Sequence, residues 1–217
     1  MTEDIEHEKR LAAEVAATLV EDGMMVGLGT GSTAMYLLAP LAERGLSIRC
    51  VATSPVTAQE ATRLGLEVLD FTGLDAPGHL DIAIDGADQV DPSGWLVKGG
   101  GGAHTREKAV AAAASRFVVI VDSSKPADRL APPIPLELAQ FGLAGTLARL
   151  ESVTLRNVPI SPDGGVIADY RGEFDQPDAL AARLSAAVGV VEHGLFPASM
   201  VSDVLIGRRD GVERRSV

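Results

Sequence analysis

The 217 residues carry 30 acidic against 19 basic side chains, a formal net charge of −11, and 46% of them are hydrophobic. That composition belongs to a globular chain with a buried core, and acidity on this scale excludes the broad basic face with which a nucleic-acid binder neutralises phosphates. A lone cysteine, Cys50, excludes an intrachain disulfide framework; no apolar run reaches the roughly 20 residues of a membrane span; and the acidic start MTEDIEHEKR lacks the charge and apolar core of a signal peptide, so a cytoplasmic protein without a membrane partner is expected.

Helical spacing of Ile5, Leu11, Val15 and Leu19 predicts an amphipathic helix over about 4–21. A short apolar strand, 24–28, then leads through a glycine-rich turn into a second helix over about 32–44. Further strands are expected at 48–52, 66–69, 80–84 and 117–121, with helices at 56–64 and 106–115 between them. Short apolar strands alternating with helices predict an α/β fold: an open, mostly parallel Rossmann-like sheet covered on both faces. Cys50 lies in the apolar run 48–51 and reads as a small buried side chain.

Three prolines in APPIP, 131–135, interrupt regular structure. Beyond them we expect a helix over about 137–150, then a hairpin of strands 153–158 and 166–170 turned by SPDGG. A helix opening at Pro177 and a strand over 190–196 follow. These make a small α+β domain, 131–199, beside a Rossmann-like catalytic domain of 1–130 plus 200–217. The final strand, 201–207, is expected to return to the first sheet, and Arg208, Arg209, Arg214 and Arg215 read as a solvated tail.

Three segments carry chemistry. Gly27-Leu28-Gly29-Thr30-Gly31-Ser32-Thr33 joins a strand to a helix, where glycines let the backbone approach a ligand and the helix N-terminus offers free N–H groups, a phosphate cradle. It also satisfies the loose dinucleotide pattern, but the next strand ends in Ala52-Thr53-Ser54, without the acid that holds a ribose. Asp85-Gly86-Ala87-Asp88 follows an apolar strand, where ligands of open α/β sheets bind; taken alone it reads as an Asx-rich turn before it reads as a site. Lys98-Gly99-Gly100-Gly101-Gly102 costs backbone entropy that a close approach to a ligand explains. Glu107, in the first turn of the next helix, suits either a dipole-stabilising acid or a proton carrier, and spacing does not separate the two. No metal-ligand constellation and no nucleophile elbow is present in the sequence.

In this order, GLGTGST, DGAD and KGGGGAHTREK resemble ribose-5-phosphate isomerase of the A type, a resemblance that extends across the chain through Lys9, VDSSK at 121–125, PIPLEL and GLF. It implies an aldose–ketose isomerase of the non-oxidative pentose phosphate branch, without cofactor or metal, acting on a sugar phosphate and assembling as a homodimer or homotetramer. The resemblance places the sugar-phosphate loop at Thr30, Gly31, Ser32 and Thr33, and the substrate-contacting aspartates at Asp85 and Asp88 with Gly86 and Ala87. It places a lysine–glycine loop at Lys98, Gly99, Gly100 and Gly101, the proton-accepting glutamate at Glu107, and substrate lysines at Lys125 and Lys9. Gln89 departs from a family glutamate and His104 from a common apolar residue. Against this stand an amino-sugar-phosphate deaminase on a similar fold, a non-catalytic sugar-phosphate sensor, which has no use for Glu107, and a nicotinamide dehydrogenase, disfavoured by the missing ribose acid.

Overall fold

The computed structural model describes residues 2–217; Met1, which opens the acidic N-terminal stretch, lies outside the described residues. In chain order the first elements are α1 (Thr2–Ala17), β1 (Met25–Leu28), α2 (Ser32–Glu43), β2 (Arg49–Ala52), α3 (Pro55–Arg63), β3 (Glu67–Leu69) and β4 (Ile82–Asp85). Next come β5 (Gln89–Val90), β6 (Leu96–Val97), α4 (His104–Ala113), β7 (Phe117–Val121), β8 (Ile134–Leu138), α5 (Leu143–Leu150) and β9 (Val153–Leu155). The chain finishes with β10 (Val166–Tyr170), α6 (Pro177–Ser185), β11 (Val190–His193), β12 (Leu195–Phe196), β13 (Asp203–Arg208) and β14 (Gly211–Ser216).

These elements form two compact units: residues up to Ala87 with Arg106–Lys125 and Ser199–Val217, and Asp88–Thr105 with Pro126–Ala198. The division differs from the expected 1–130 and 131–199. The stretch Asp88–Thr105 belongs to the second unit because its strands β5 and β6 pair with each other and β6 pairs with β12.

The first unit is built on a seven-stranded sheet of order β14-β13-β7-β4-β1-β2-β3, parallel throughout except for the antiparallel pair β13–β14. Its central strands are buried on both faces, as β7 with five buried residues shows, because helices cover both sides. One core gathers Ala12, Ala13 and Ala16 of α1 with Leu37, Leu38 and Leu41 of α2 around Val26, Ile84, Val118 and Leu205. Ser54 caps α3 by accepting from Thr57 N–H at 3.2 Å, with Pro55 in the first turn. Cys50 is fully buried, and burial, with a contribution from Glu67, pushes its thiol up to about 12, so it remains a neutral packing residue.

The arginine tail is corrected by the structure. Arg214 and Arg215 stand in the edge strand β14 and Arg208 ends β13, and these three are paired: Arg214 Nε donates to Asp203 Oδ1 at 2.8 Å, while Arg208 and Arg215 both donate to Glu213. Arg116 closes the other side of Asp203 at 2.7 Å.

The second unit holds a four-stranded antiparallel sheet, β11-β8-β10-β9, and a three-stranded one, β12-β6-β5. Its core joins Ile134, Leu136 and Leu138 to Leu150, Tyr170, Leu180 and Leu184. The helix expected over 137–150 starts only at Leu143; Ile134–Leu138 is instead a fully buried central strand. Pro135 is tolerated in it because its C=O, on the side of the ladder that would need its missing N–H, takes the Gly194 N–H (2.7 Å) just past the end of β11. The strand expected over 190–196 is split at Gly194, β11 pairing with β8 and β12 with β6.

Asp203 is almost fully buried; burial pushes its carboxyl up, but Arg214 and Arg116 more than offset this and hold it below the usual carboxylate range. A carboxyl lowered on folding contributes stability above its unfolded value of about 3.9 and loses it as pH falls through the folded value. Asp203→Asn is therefore expected to cost roughly 1–3 kcal/mol at neutral pH. Urea denaturation should show the gap between variant and parent narrowing as pH falls below the unfolded carboxyl value of about 3.9; a gap that does not narrow in acid would rule the charge out as the source.

Candidate active site

In the first unit the chain moves outward from β1 through β2 to β3, then returns to build β4, β7 and β13 on the other side. The order reverses between β1 and β4, and the loops leaving their carboxyl ends flank a crevice there, the place where open α/β sheets receive ligands. Those loops are Gly29–Thr33 and Asp85–Ala87, two of the three segments singled out from the sequence.

A carboxylate ties them together. Asp85 is buried, and its Oδ1 accepts the N–H of Thr30 at 3.1 Å and of Gly86 at 2.7 Å. A Cβ at Gly29 would collide with the Asp85 carboxyl group, so only glycine lets the turn close against it. The turn is braced on its far side by hydroxyls: Thr30 Oγ1 meets Thr53 Oγ1 at 2.6 Å, and Thr57 Oγ1 donates to Gly29 O at 3.0 Å. Helix α2 then starts at Ser32, presenting its N-terminus with Gly31, Ser32 and the buried Thr33. Lys9 Nζ donates to Ser32 Oγ at 3.1 Å and to Glu6 Oε1 at 2.7 Å, which brings one cation to that N-terminus.

Glu107 belongs to the same edge. Helix α4 joins the carboxyl end of β4, by way of β5 and β6, to the start of the parallel strand β7, so it runs back against the strand direction. Its last turn meets the beginning of β4, where Leu80 N–H donates to Ala113 O at 2.9 Å. Val110 lies over Gly27 and Ala83, mid-sheet. Glu107, one turn earlier, therefore sits at the carboxyl edge with Asp85 and the glycine turn, and its side chain is buried, 6% exposed. Lys125 follows β7 on the same edge, in a turn set by buried Asp122, whose Oδ1 accepts from Ser124 N–H and whose C=O accepts from Lys125 N–H.

The second unit carries the remaining segment. Lys98 is buried, its ammonium 5.6 Å from the centre of the Phe196 ring, and its N–H donates to Gly194 O at 2.8 Å. Asp88 Oδ2 accepts Gly100 N–H at 2.7 Å, which fixes the aspartate to the loop Lys98–Gly101. Gly99 takes a φ of 100°, and a Cβ there would press into the fully buried His104 ring at 2.6 Å. The first unit thus holds Lys9, Thr30–Thr33, Asp85, Gly86, Ala87, Glu107 and Lys125; the second holds Asp88 and Lys98–Gly101.

Three residues beside these segments escaped the sequence reading. Glu137, buried in β8, accepts from the hydroxyls of Thr105 and Ser161. Glu8 of α1 accepts the Ser123 N–H at 2.9 Å beside Lys125. Arg156 donates to the carbonyls of the glycine loop. Glu137 stood in the quoted segment PIPLEL and its partner Thr105 in AHTREK; Glu8 and Arg156 gain their meaning from partners distant in the chain.

Buried carboxylates and a glycine turn gathered at the switch point of a parallel sheet define an α/β enzyme for a small polar substrate. The family model of ribose 5-phosphate isomerase A (phosphoriboisomerase A) matches residues 49–211. A relative from Gluconobacter oxydans named ribose-5-phosphate isomerase A is 44% identical, over 97% of this chain and 96% of its own. One from Methanosarcina acetivorans with the same name is 42% identical, over 94% and 92%. Among solved structures, ribose 5 phosphate isomerase A from Neisseria gonorrhoeae superposes with a TM-score of 0.91 at 32% identity, covering 97% of this chain and 96% of that one. A D-ribose-5-phosphate isomerase in complex with phospho-erythronic acid gives 0.90 at 33%, covering 98% and 99%. The chain belongs to the ribose-5-phosphate isomerase A family. It is an aldose–ketose isomerase, and its reaction interconverts D-ribose 5-phosphate and D-ribulose 5-phosphate.

Gly29→Ala tests the contact on which the crevice rests. The added methyl must push the Asp85 carboxylate aside, and a displacement of about 1 Å in an active site costs up to roughly 10²-fold. We expect kcat/KM to fall by at least about tenfold while the protein stays folded by circular dichroism; unchanged turnover would remove Asp85 from the site.

Proposed function

We propose that Glu107 is the base of this isomerisation, taking the proton from one of the adjacent sugar carbons C1 and C2 and returning it to the other through an enediolate. The observation that carries the reading is the placement of Glu107: buried, in the first turn of α4, at the carboxyl edge that Asp85 and the Gly29–Thr33 turn share. The reaction is redox-neutral, since one carbon is oxidised as its neighbour is reduced, so a base, a means of opening the sugar ring and stabilisation of oxygen charge are sufficient for it.

Asp85 takes the ring-opening role, exchanging protons with the ring and anomeric oxygens. Lys98 and the N–H groups of Gly99 and Gly101 meet the developing enediolate oxygen, and Asp88, anchored by the Gly100 N–H, orients the hydroxyls together with Gly86 and Ala87. Gly31, Ser32 and Thr33 at the α2 N-terminus, with the Thr30 hydroxyl, hold the phosphate. Lys9 and Lys125 supply the positive charge that an otherwise acidic chain needs to attract a phosphorylated substrate. We further read the protein as a cytoplasmic homo-oligomer, a homodimer or homotetramer as the resemblance implies; a monomeric mass in solution would reject that reading.

The direct test incubates EDTA-treated protein with ribose 5-phosphate and follows ketose formation. Glu107→Gln keeps the shape and removes the base, so turnover is expected to fall at least ~10²-fold while sugar-phosphate binding is retained. Near-parental turnover by a folded Gln variant would defeat the assignment.

A further inference from the structure

The loop that starts at Lys98 is held on two sides by opposite charges. The peptide joining Gly99 to Gly100 gives its N–H to Asp88 Oδ2 at 2.7 Å and its C=O to Arg156 Nη1 at 2.9 Å. A trans peptide points these two groups in opposite directions, so a carboxylate on one side and a guanidinium on the other fix its plane. The same Arg156 nitrogen reaches Gly100 O at 2.9 Å. That second bond fixes the next peptide too, and turns the Gly101 N–H away from Arg156. Gly99 O also accepts Gly102 N–H at 2.9 Å, which closes the turn.

Arg156 is itself immobilised. It follows β9 directly, and its Nε and Nη2 both donate to Asp169 Oδ1 of β10, at 3.1 and 2.7 Å. Asp169 is buried and Arg156 nearly so, with side chains 9% and 18% exposed. Four successive glycines have no side chains to hold them in one shape, and the entropy of such a loop opposes any fixed arrangement of its N–H donors. Charge-assisted bonds to two consecutive carbonyls supply the missing constraint.

We propose that Arg156, braced by Asp169, is a positioning residue for the isomerisation: it sets the peptide planes of Gly99–Gly101 so that the loop N–H groups are aimed before the substrate arrives. This deepens the reading of the Lys98–Gly101 loop as the donor set for the enediolate oxygen and rests on it. Arg156 touches the loop carbonyls and acts through them. Pre-aimed donors matter most where charge develops, so their loss lowers kcat more than it weakens substrate binding.

A cavity of about 500 Å³ opens beside Arg156, lined by Gly100, Gly101, Gly102, Ile167 and Asp169 among others. It gives a small cation access to the place a truncated side chain leaves empty. Arg156→Ala is therefore expected to lower kcat by roughly 10- to 100-fold with the KM for ribose 5-phosphate changed less than about threefold, and millimolar guanidinium chloride, but not sodium chloride, should restore several-fold of the lost kcat. A folded variant with parental kcat, one altered only in KM, or one that guanidinium does not rescue would overturn the proposal. If the alanine variant does not fold, Arg156→Lys decides: it keeps the charge, but its one nitrogen cannot stand both at Asp169 and between the two loop carbonyls, which the guanidinium serves with different nitrogens, so a kcat loss at constant KM supports the proposal and parental kcat rejects it. Lys98→Met separates this inference from the reading beneath it. Full turnover by that variant would discard the loop as the donor set, whereas loss there with an intact Arg156→Ala would discard Arg156 alone.

Discussion

The arrangement of the first unit depends on the Asp85 carboxylate accepting the Thr30 and Gly86 N–H groups across the gap between β1 and β4. A parallel sheet brings strand ends together but leaves the loops beyond them without ladder partners. One buried carboxylate oxygen satisfies a donor from each loop, and leaving those donors unpaired would cost about 1–3 kcal/mol apiece. The bond also fixes the orientation of the carboxylate as a whole. The absence of a Cβ at Gly29 is the steric condition for it.

Helix direction does the comparable work for Glu107. A crossover between parallel strands must return against them, which brings the helix N-terminus to the edge where the strands end. A residue in the first turn of such a helix reaches the ligand-binding edge by topology alone. This is why an acid that favours the helix dipole also stands at the carboxyl edge of the sheet.

Much of this was legible because its causes are local. β7 reads as FVVIV and is found at 117–121 as expected, since a strand buried on both faces needs no alternation. The turn at 29–33 and the acids at 85 and 107 stand at junctions that hydrophobic runs delimit. What was missed depends on distant partners. Leu136-Glu137-Leu138 contains good helix formers, yet it is a strand, because Glu137 finds the Thr105 and Ser161 hydroxyls and the flanking apolar residues find the core of the second unit. Gly211–Ser216 has no apolar alternation and read as a tail; Asp203, Arg116 and Glu213 turn its arginines into an edge strand, and charge is an effective guard against further pairing there. Arg156 gave no signal at all, since its partners are backbone carbonyls that no side-chain pattern encodes.

That last case bears on how glycine-rich loops should be read. A run of glycines looks flexible, and in isolation it is. Here the flexibility is removed by side chains elsewhere in the fold, Asp88 on the N–H side and Arg156 on the carbonyl side, with the His104 ring filling the space a Cβ at Gly99 would occupy. The glycines provide access for a ligand and for these clamps, while the clamps provide the geometry. His104, fully buried, packs its ring directly against Gly99. The shape of such a loop, more than the identity of any one of its residues, is what an oxyanion-stabilising site has to conserve.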